Sequence, residues 1–430
     1  MPRHLPIFAF FYLLALVLVY YNCRREPTSW FFNPDTGYTS TYSALRRQQA
    51  DAYLQSTNGN EWRYNNATKH TTLCLGIPTF YRQKSQYLRY TIGSLLAGLG
   101  EEERERIYLM PFVAHTDPLT HPSFSEEWLT AVSDRILTYT KSDPKFKEIQ
   151  RWERDLLFRD KALYDYVSLL KACSKVGTDY TAILEDDVVA VDGWFHRTMD
   201  ALHKIRTMSG DSVTLYLRLF YTEEFLGWNS ENWQTYFLLS ALASVCTFGA
   251  LHLLRSSAKF RRHITGRLLF SATLVYVPLC VLLVFASGTG LARRYWYPPG
   301  VHLMNKYGCC GQGLLFSHAM AEEMIPYYES KGLGFVDMLT EEYADRNGYQ
   351  RWAVMPSVLQ HVGSQTSKVG IDAEMPLVNG RRQRTVAERM WNFEFETYQT
   401  EKLTKEHKER LHHPASSWHE IDQKHAKSRQ

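Results

Sequence analysis

The sequence predicts an α/β domain built on a mostly parallel sheet, interrupted in the chain by a transmembrane helical hairpin and preceded by an N-terminal transmembrane anchor. Three observations carry this expectation. Between residues 72 and 219, short apolar runs alternate with segments of helical periodicity, the pattern of repeated strand–helix units. Two later stretches, about Thr235 to Leu254 and about Leu268 to Ser287, each approach the roughly 20 residues that span a bilayer as a helix. A third apolar run, Leu5 to Tyr21, stands at the N-terminus.

That first run precedes Cys23-Arg24-Arg25 with no small-residue cleavage site, which favours a retained anchor over a cleaved signal peptide. Trp30-Phe31-Phe32 suits a segment leaving the bilayer along its interface. Residues 1–4 are therefore expected to be cytosolic, 5–22 the anchor and 23–70 a lumenal stem. Asn66-Ala67-Thr68 within the stem is a glycosylation sequon, consistent with a lumenal position. With 45% hydrophobic residues among 430, the chain can bury a large core, and disorder is expected only in its tail. A net charge of +4, without a basic stripe interleaved with stacking aromatics, leads us to expect no nucleic-acid partner.

The first half of the α/β domain, 71–232, opens with a strand at Thr72 to Thr79, followed by a helix from Gln86 to Leu99 and a second strand from Ile107 to Ala114. A longer amphipathic helix, Trp152 to Ser174, has apolar residues at Leu156, Leu157, Leu163, Val167 and Leu170. It leads to a buried strand at Tyr180 to Leu184, and a further strand spans Asp211 to Leu219. In such sheets ligands bind beyond the carboxyl ends of the strands. Pro78-Thr79, His115-Thr116-Asp117 and Glu185-Asp186-Asp187 all fall at such ends.

The hairpin, 233–290, encloses a loop at 255–267 with Arg255, Lys259, Arg261, Arg262 and Arg267 and no acidic residue. Such a loop belongs on the cytosolic side, which leaves both flanking segments lumenal. Trp228, Trp233 and Tyr236 before the hairpin, and Tyr295-Trp296-Tyr297 after it, suit an interfacial belt. The spans carry no acidic or basic residue except at their boundaries, which disfavours a transporter. The second half of the domain, 291–398, then builds one lumenal site together with the first.

Glu185-Asp186-Asp187, delivered by a buried strand, gathers oxygen ligands for a hard divalent cation, magnesium or manganese, which can hold a diphosphate. Cys310 to Phe316 reads as a glycine-bearing turn entering a strand, and Ala319 to Tyr328 as a helix. Asp337 opens a further helix, either as a cap or as a general base for an acceptor hydroxyl, with Glu341, Glu342 and Glu223 as other candidates for the base. The loop Leu359 to Lys368 supplies His361, a glycine, hydroxyls and Lys368 to close such a site from the opposite side.

Of the seven cysteines, Cys74, Cys173, Cys309 and Cys310 are the lumenal candidates for pairing, with connectivity open. Residues 399–430 read as a charged, solvated helix or disordered tail. Its histidines 407, 412, 413, 419 and 425 show no recognised ligand spacing, so no metal site is expected there.

Gly76-Ile77-Pro78-Thr79, Thr116-Asp117, Leu184 to Val189 and Gln360-His361-Val362-Gly363 resemble, in this order, motifs of the β1,4-N-acetylglucosaminyltransferases that branch N-glycans, which have a GT-A fold. Those enzymes lack an internal hairpin. With its anchor and interrupted domain, the chain over residues 1 to 395 resembles the three-span Golgi transferases of the post-GPI-attachment to proteins family, which add an N-acetylgalactosamine side chain to glycosylphosphatidylinositol (GPI) anchors.

The resemblance implies a GT-A domain that moves N-acetylgalactosamine from UDP-GalNAc to a mannose of the GPI glycan, with inversion, on GPI-anchored proteins at the Golgi membrane. Asp187 would hold manganese or magnesium, while Glu185 and Asp186 order the site and the ribose. Pro78, Thr79 and Asp117 would lie near the uridine. His361 would be a metal or diphosphate ligand, with Ser364 and Lys368 near the phosphates and Asp337 as base. The triplet departs from a strict Asp-x-Asp pattern by beginning with Glu185. An N-glycan branching enzyme and a non-catalytic membrane scaffold are the alternative readings.

Overall fold

The buried apolar runs of the sequence become a mixed sheet flanked by helices. The computed structural model describes residues 4–57, 71–82, 85–290, 293, 298–304, 310–363 and 386–412. The chain divides into two compact units, one formed by Met1–Thr39 with Glu223–Pro298 and the other by Ser40–Thr222 with Pro299–Gln430.

The larger unit carries strands β1 (Leu73–Thr79), β2 (Ile107–Val113), β3 (Leu137–Thr138), β4 (Tyr180–Leu184), β5 (Val188–Ala190), β6 (Thr214–Arg218), β7 (Gly300–Leu303), β8 (Gly313–Ser317), β9 (Gln350–Met355) and β10 (Leu359–His361). An eight-stranded sheet runs β3-β2-β1-β4-β8-β6-β9-β7, and β10 pairs with β5 in a separate ribbon. The β1–β2, β1–β4, β2–β3 and β6–β9 pairs are parallel, so the sheet is mostly parallel. β8 runs antiparallel between β4 and β6, and β7 antiparallel at the β9 edge.

Alternation along β1 sends Leu73, Leu75 and Ile77 to one face of the sheet and Cys74 to the other. The first face packs on Ile92, Trp194, Phe195 and Leu202, the second on Leu163, Val167, Met320, Met324 and Tyr328. Burying each such side chain is worth about 1.5–3 kcal/mol. Gly76 lets the helix Phe158–Ser174 lie close, because a Cβ there would meet Leu169 Cγ at 2.9 Å and Ile183 Cδ1 at 2.8 Å. The Cys74–Cys173 disulfide ties this helix to β1. Cys310 is also disulfide-bonded, Cys23, Cys246 and Cys280 are free, and Cys309 lies outside the described residues.

Two expectations are corrected and a third is refined. The long helix expected from Trp152 is two helices, Phe146–Arg154 and Phe158–Ser174. Leu156 sits between them at a φ of 55° and is exposed together with Leu157, because Ile149 and Trp152 bury on the first helix before the second takes a new direction. Part of the expected stem, Tyr42–Thr57, is a helix packed into the core through Tyr42 and Leu54. Its Arg46 donates to the carbonyls of Ala190 and Ser94. The expected solvated tail begins with a helix, Thr400–His412, that buries Leu403 and His407.

Among the described residues, the smaller unit holds three helices long and apolar enough to cross a membrane, His4–Asn22, Trp233–Ser256 and Gly266–Ala286. The third passes through a π-helical turn at Ala272–Tyr276 just before Pro278, where the lost amide would break regular pairing. Tyr276 in that turn stacks on Phe8 at 3.9 Å between ring centroids and lies 2.8 Å from His4 Nδ1. At the other end Trp228 Nε1 donates to the Phe285 carbonyl, and Arg293 pairs with Glu26 at 2.7 Å. Tyr295-Trp296-Tyr297 and the Asn66 sequon lie outside the described residues.

Candidate functional site

The acidic triplet leaves β4 and turns directly into β5. Its backbone is fixed from below: Thr91 Oγ1 lies 2.6 Å from the Asp186 carbonyl and 2.7 Å from that of Val188. β10 then pairs antiparallel with β5, setting His361 opposite Val188, and Val362 N donates to the Asp187 carbonyl at 2.9 Å. This ribbon carries His361 from the far end of the domain to the carboxylates. His361 Nε2 lies 3.5 Å from Asp187 Oδ2.

Glu185, Asp187 and His361 each offer a ligand atom within 4.8 Å of the others. Asp187 Oδ1 and His361 Nδ1 are buried with no hydrogen-bond partner among the described residues. Buried polar atoms without partners are costly, and two carboxylates with an imidazole form a donor set that suits a divalent cation. Burial would raise the Asp187 carboxyl, but His361 and Arg82 outweigh it and hold it below the usual carboxylate range. Burial would lower His361, and the Asp187 carboxylate instead raises it.

Asp186 has a different environment. Arg82 Nη1 and Nη2 donate to its two oxygens at 2.8 and 2.7 Å, and Thr79 Oγ1 donates at 2.6 Å. Thr79 in turn lies 3.0 Å from His121 Nε2. Asp186 is therefore engaged within the protein, holding Arg82 beside the cation donors. Glu185 accepts from Gln312 Nε2 at 3.2 Å.

These groups line a cavity of about 400 Å³, a size that suits a small organic ligand. Pro78, Phe80 and Arg82 from the end of β1, Glu185, Asp186 and Asp187 after β4, His361 of β10, and Gln312, Phe335 and Asp337 are among its lining residues. Asp337 lies in the first turn of the helix Val336–Asn347, and its Oδ2 accepts from Cys310 N at 3.4 Å. The other carboxylates considered as bases do not line this cavity. Glu341 is taken up by Arg218 at 2.9 Å and Arg351 at 3.0 Å, and Glu342 by Lys331 at 3.1 Å.

Pro78 and Asp337 thus share a pocket with the acidic triplet and His361, whereas Thr79 lies behind the wall as a partner of Asp186. Asp117 is exposed and caps a short turn by accepting from Leu119 N at 3.1 Å. Ser364 and Lys368 lie outside the described residues. Sequence reasoning passed over Arg82 and Gln312. Arg82 follows the β1 end by three residues, a basic group placed where the sheet binds ligands, and that position was its available signal.

Comparison with known proteins places the chain among glycosyltransferases. Over 136 residues it is 29% identical to alpha-1,3-mannosyl-glycoprotein 4-beta-N-acetylglucosaminyltransferase A of Xenopus tropicalis, a stretch covering 29% of this chain and 25% of that relative. The chain thus spans about a quarter of the length of the curated relative it matches. Residues 73–360 match the family GPI-N-acetylgalactosamine transferase PGAP4, and the chain belongs to this family.

Proposed function

We propose that this protein transfers N-acetylgalactosamine from UDP-GalNAc to a mannose of the GPI-anchor glycan, in a GT-A domain facing the Golgi lumen. One observation carries the reading: the cation donors Glu185, Asp187 and His361 line the same cavity as Asp337, a carboxylate that accepts from the backbone amides of Cys310 and Met338 and has no ion-pair partner among the described residues. Family membership supports the sugar and the acceptor class. The three apolar helices support a membrane-held enzyme acting on lipid-linked glycoproteins, with residues 255–267 cytosolic and the domain halves 71–232 and 291–398 lumenal.

In the transfer, the acceptor hydroxyl oxygen bonds to the anomeric carbon as the bond from that carbon to the β-phosphate oxygen breaks. The acceptor proton passes to Asp337, and UDP departs with the bonding electrons. Attack from the face opposite the diphosphate inverts the centre. Glu185, Asp187 and His361 would hold a manganese or magnesium ion, which when bound would supply positive charge for the departing diphosphate. Arg82, held by Asp186, lines the same cavity and would present its guanidinium beside the diphosphate. Pro78, which lines the cavity, is assigned to the uridine, and Ser364 and Lys368 to the phosphates.

The test restores wild type or Asp187→Ala, at matched levels, to cells lacking the activity, and reads released GPI glycans by mass spectrometry. A HexNAc increment with wild type alone supports the proposal. No increment with either chain, despite correct delivery, rejects the GPI acceptor; an increment on N-glycans instead would assign the branching reaction named in the amphibian relative.

A further inference from the structure

A second cluster, none of whose members lines the cavity above, joins three separate parts of the larger unit. Glu103 lies on the short helix Glu101–Glu105, His196 on the helix Trp194–Met208 after β5, and His407 on the helix Thr400–His412. All three are buried, and each offers a ligand atom within 4.8 Å of the others. We propose that Glu103, His196 and His407 form a divalent transition-metal site, for zinc, that fastens the C-terminal helix to the α/β core.

The observation that points to a ligand is His196. Its side chain is only 4% exposed, yet neither ring nitrogen has a hydrogen-bond partner among the described residues. Glu103 Oε1 is likewise buried and unpartnered, while its Oε2 accepts from Gly100 N at 3.1 Å and lies 2.8 Å from His407 Nε2. Buried polar atoms without partners are costly, and a cation held by one His196 nitrogen and by Glu103 would relieve part of that cost.

The surroundings complete the case. His407 Nδ1 lies 2.7 Å from Asp192 Oδ1, and Thr404 Oγ1 donates to the other Asp192 oxygen at 2.8 Å. A carboxylate on Nδ1, itself held by a hydroxyl, fixes the ring's direction and turns Nε2 toward Glu103, where the two would ligate a shared cation. Glu406 Oε1 lies 3.6 Å from His196 Nε2, within range of a fourth position. Ligand atoms of a tetrahedral zinc lie about 3–3.5 Å apart, so the cluster needs shifts of an ångström or so to close. Two imidazoles with carboxylates match zinc better than the all-oxygen preference of magnesium or calcium.

The competitor is a proton. Burial lowers His407, but Asp192 and Glu103 outweigh it and hold the ring at about 9, so an imidazolium can bridge those two carboxylates without a metal. That arrangement leaves His196 and Glu103 Oε1 unsatisfied.

The decisive measurement uses the full chain in detergent with Asp187→Ala and His361→Ala, which remove donors of the cavity site. After dialysis against chelator and loading with zinc chloride, elemental analysis should find about one zinc per chain, and the thermal midpoint should rise by a few degrees over the chelated protein. Adding His196→Asn or Glu103→Gln should abolish both. Folded background protein that retains no zinc and shows no shift overturns the proposal, as does full retention in the His196→Asn chain. Should the background chain not fold, the wild type replaces it: loss of one zinc equivalent on His196→Asn supports the site, and an unchanged stoichiometry overturns it.

Discussion

Arg82 holds Asp186 in a two-pronged grip, Nη1 to Oδ2 at 2.8 Å and Nη2 to Oδ1 at 2.7 Å, while the neighbouring Asp187 keeps one buried oxygen without a hydrogen-bond partner among the described residues. Two adjacent carboxylates thereby take opposite tasks. The first is neutralised by a guanidinium, and the second is left available to a cation. Removing one partner of a buried pair costs about 3–5 kcal/mol, so Arg82→Ala should lower the thermal midpoint markedly. Arg82→Lys keeps the charge but not the fork and should fall between, in stability and in turnover. Differential scanning fluorimetry with a turnover assay checks this ordering; equal stability of all three chains would remove the grip from the account.

Gly363 packs against the same carboxylate from β10's far end. A Cβ there would stand 2.2 Å from Asp187 Oδ2 and 2.8 Å from its Cγ, both closer than atoms allow. Gly363→Ala should therefore displace Asp187 and reduce turnover by ~10²-fold, the scale of a one-ångström misplacement. The effect should be accompanied by weaker manganese affinity, measured by titration of activity with the metal. Wild-type metal dependence in this variant would show that the carboxylate does not need its present position.

Asp337→Asn removes the proposed proton acceptor while keeping the shape. If the carboxylate acts as general base, kcat should drop by roughly 10²–10⁴-fold. UDP-GalNAc binding, followed by calorimetry, should be unchanged. Near-normal turnover would return the role to another group.

His115 sets a pH limit on the fold. Its Nε2 accepts from Tyr81 N at 2.9 Å and thus must be unprotonated. Burial, then Lys161 and His121, lower its pKa to about 4 against the opposing effect of Asp117. Glu153 Oε1 stands 3.9 Å from Nδ1. Because the folded pKa lies below the unfolded one, the unfolded chain takes up a proton first as pH falls. Stability is complete above about pH 6.5 and is lost progressively toward about pH 4, by on the order of 1–3 kcal/mol. His115→Gln should flatten that part of the profile of thermal midpoint against pH; identical slopes for the two chains would rule His115 out as the cause.

Much of the fold was legible in the chain because strands and membrane spans announce themselves through local apolar runs. Tyr180 to Leu184 is a strand as expected, and the span expected from about Thr235 to Leu254 becomes the helix Trp233–Ser256. The break at Leu156 was not legible, since Leu156 and Leu157 continue a helical period although both end exposed. Burial of the helix Thr400–His412 was hidden for the opposite reason. Its Lys and Glu residues dominate the composition, while Leu403 and His407 are buried.

By itself the sequence determined the mixed α/β class, the apolar helices, the acidic triplet at a strand end and the family to which the motifs point. These depend on the spacing of residues along one segment, which local periodicity records. Only the tertiary structure decided that Asp186 faces Arg82 while Asp187 faces His361, that Asp117 caps a turn outside the cavity, and that Cys74 pairs with Cys173. Those outcomes depend on the pairing of β5 with β10 and on how closely a helix approaches β1 at Gly76. Such contacts join residues distant in the chain, and their geometry is fixed by packing and ladder register, neither of which a linear pattern encodes.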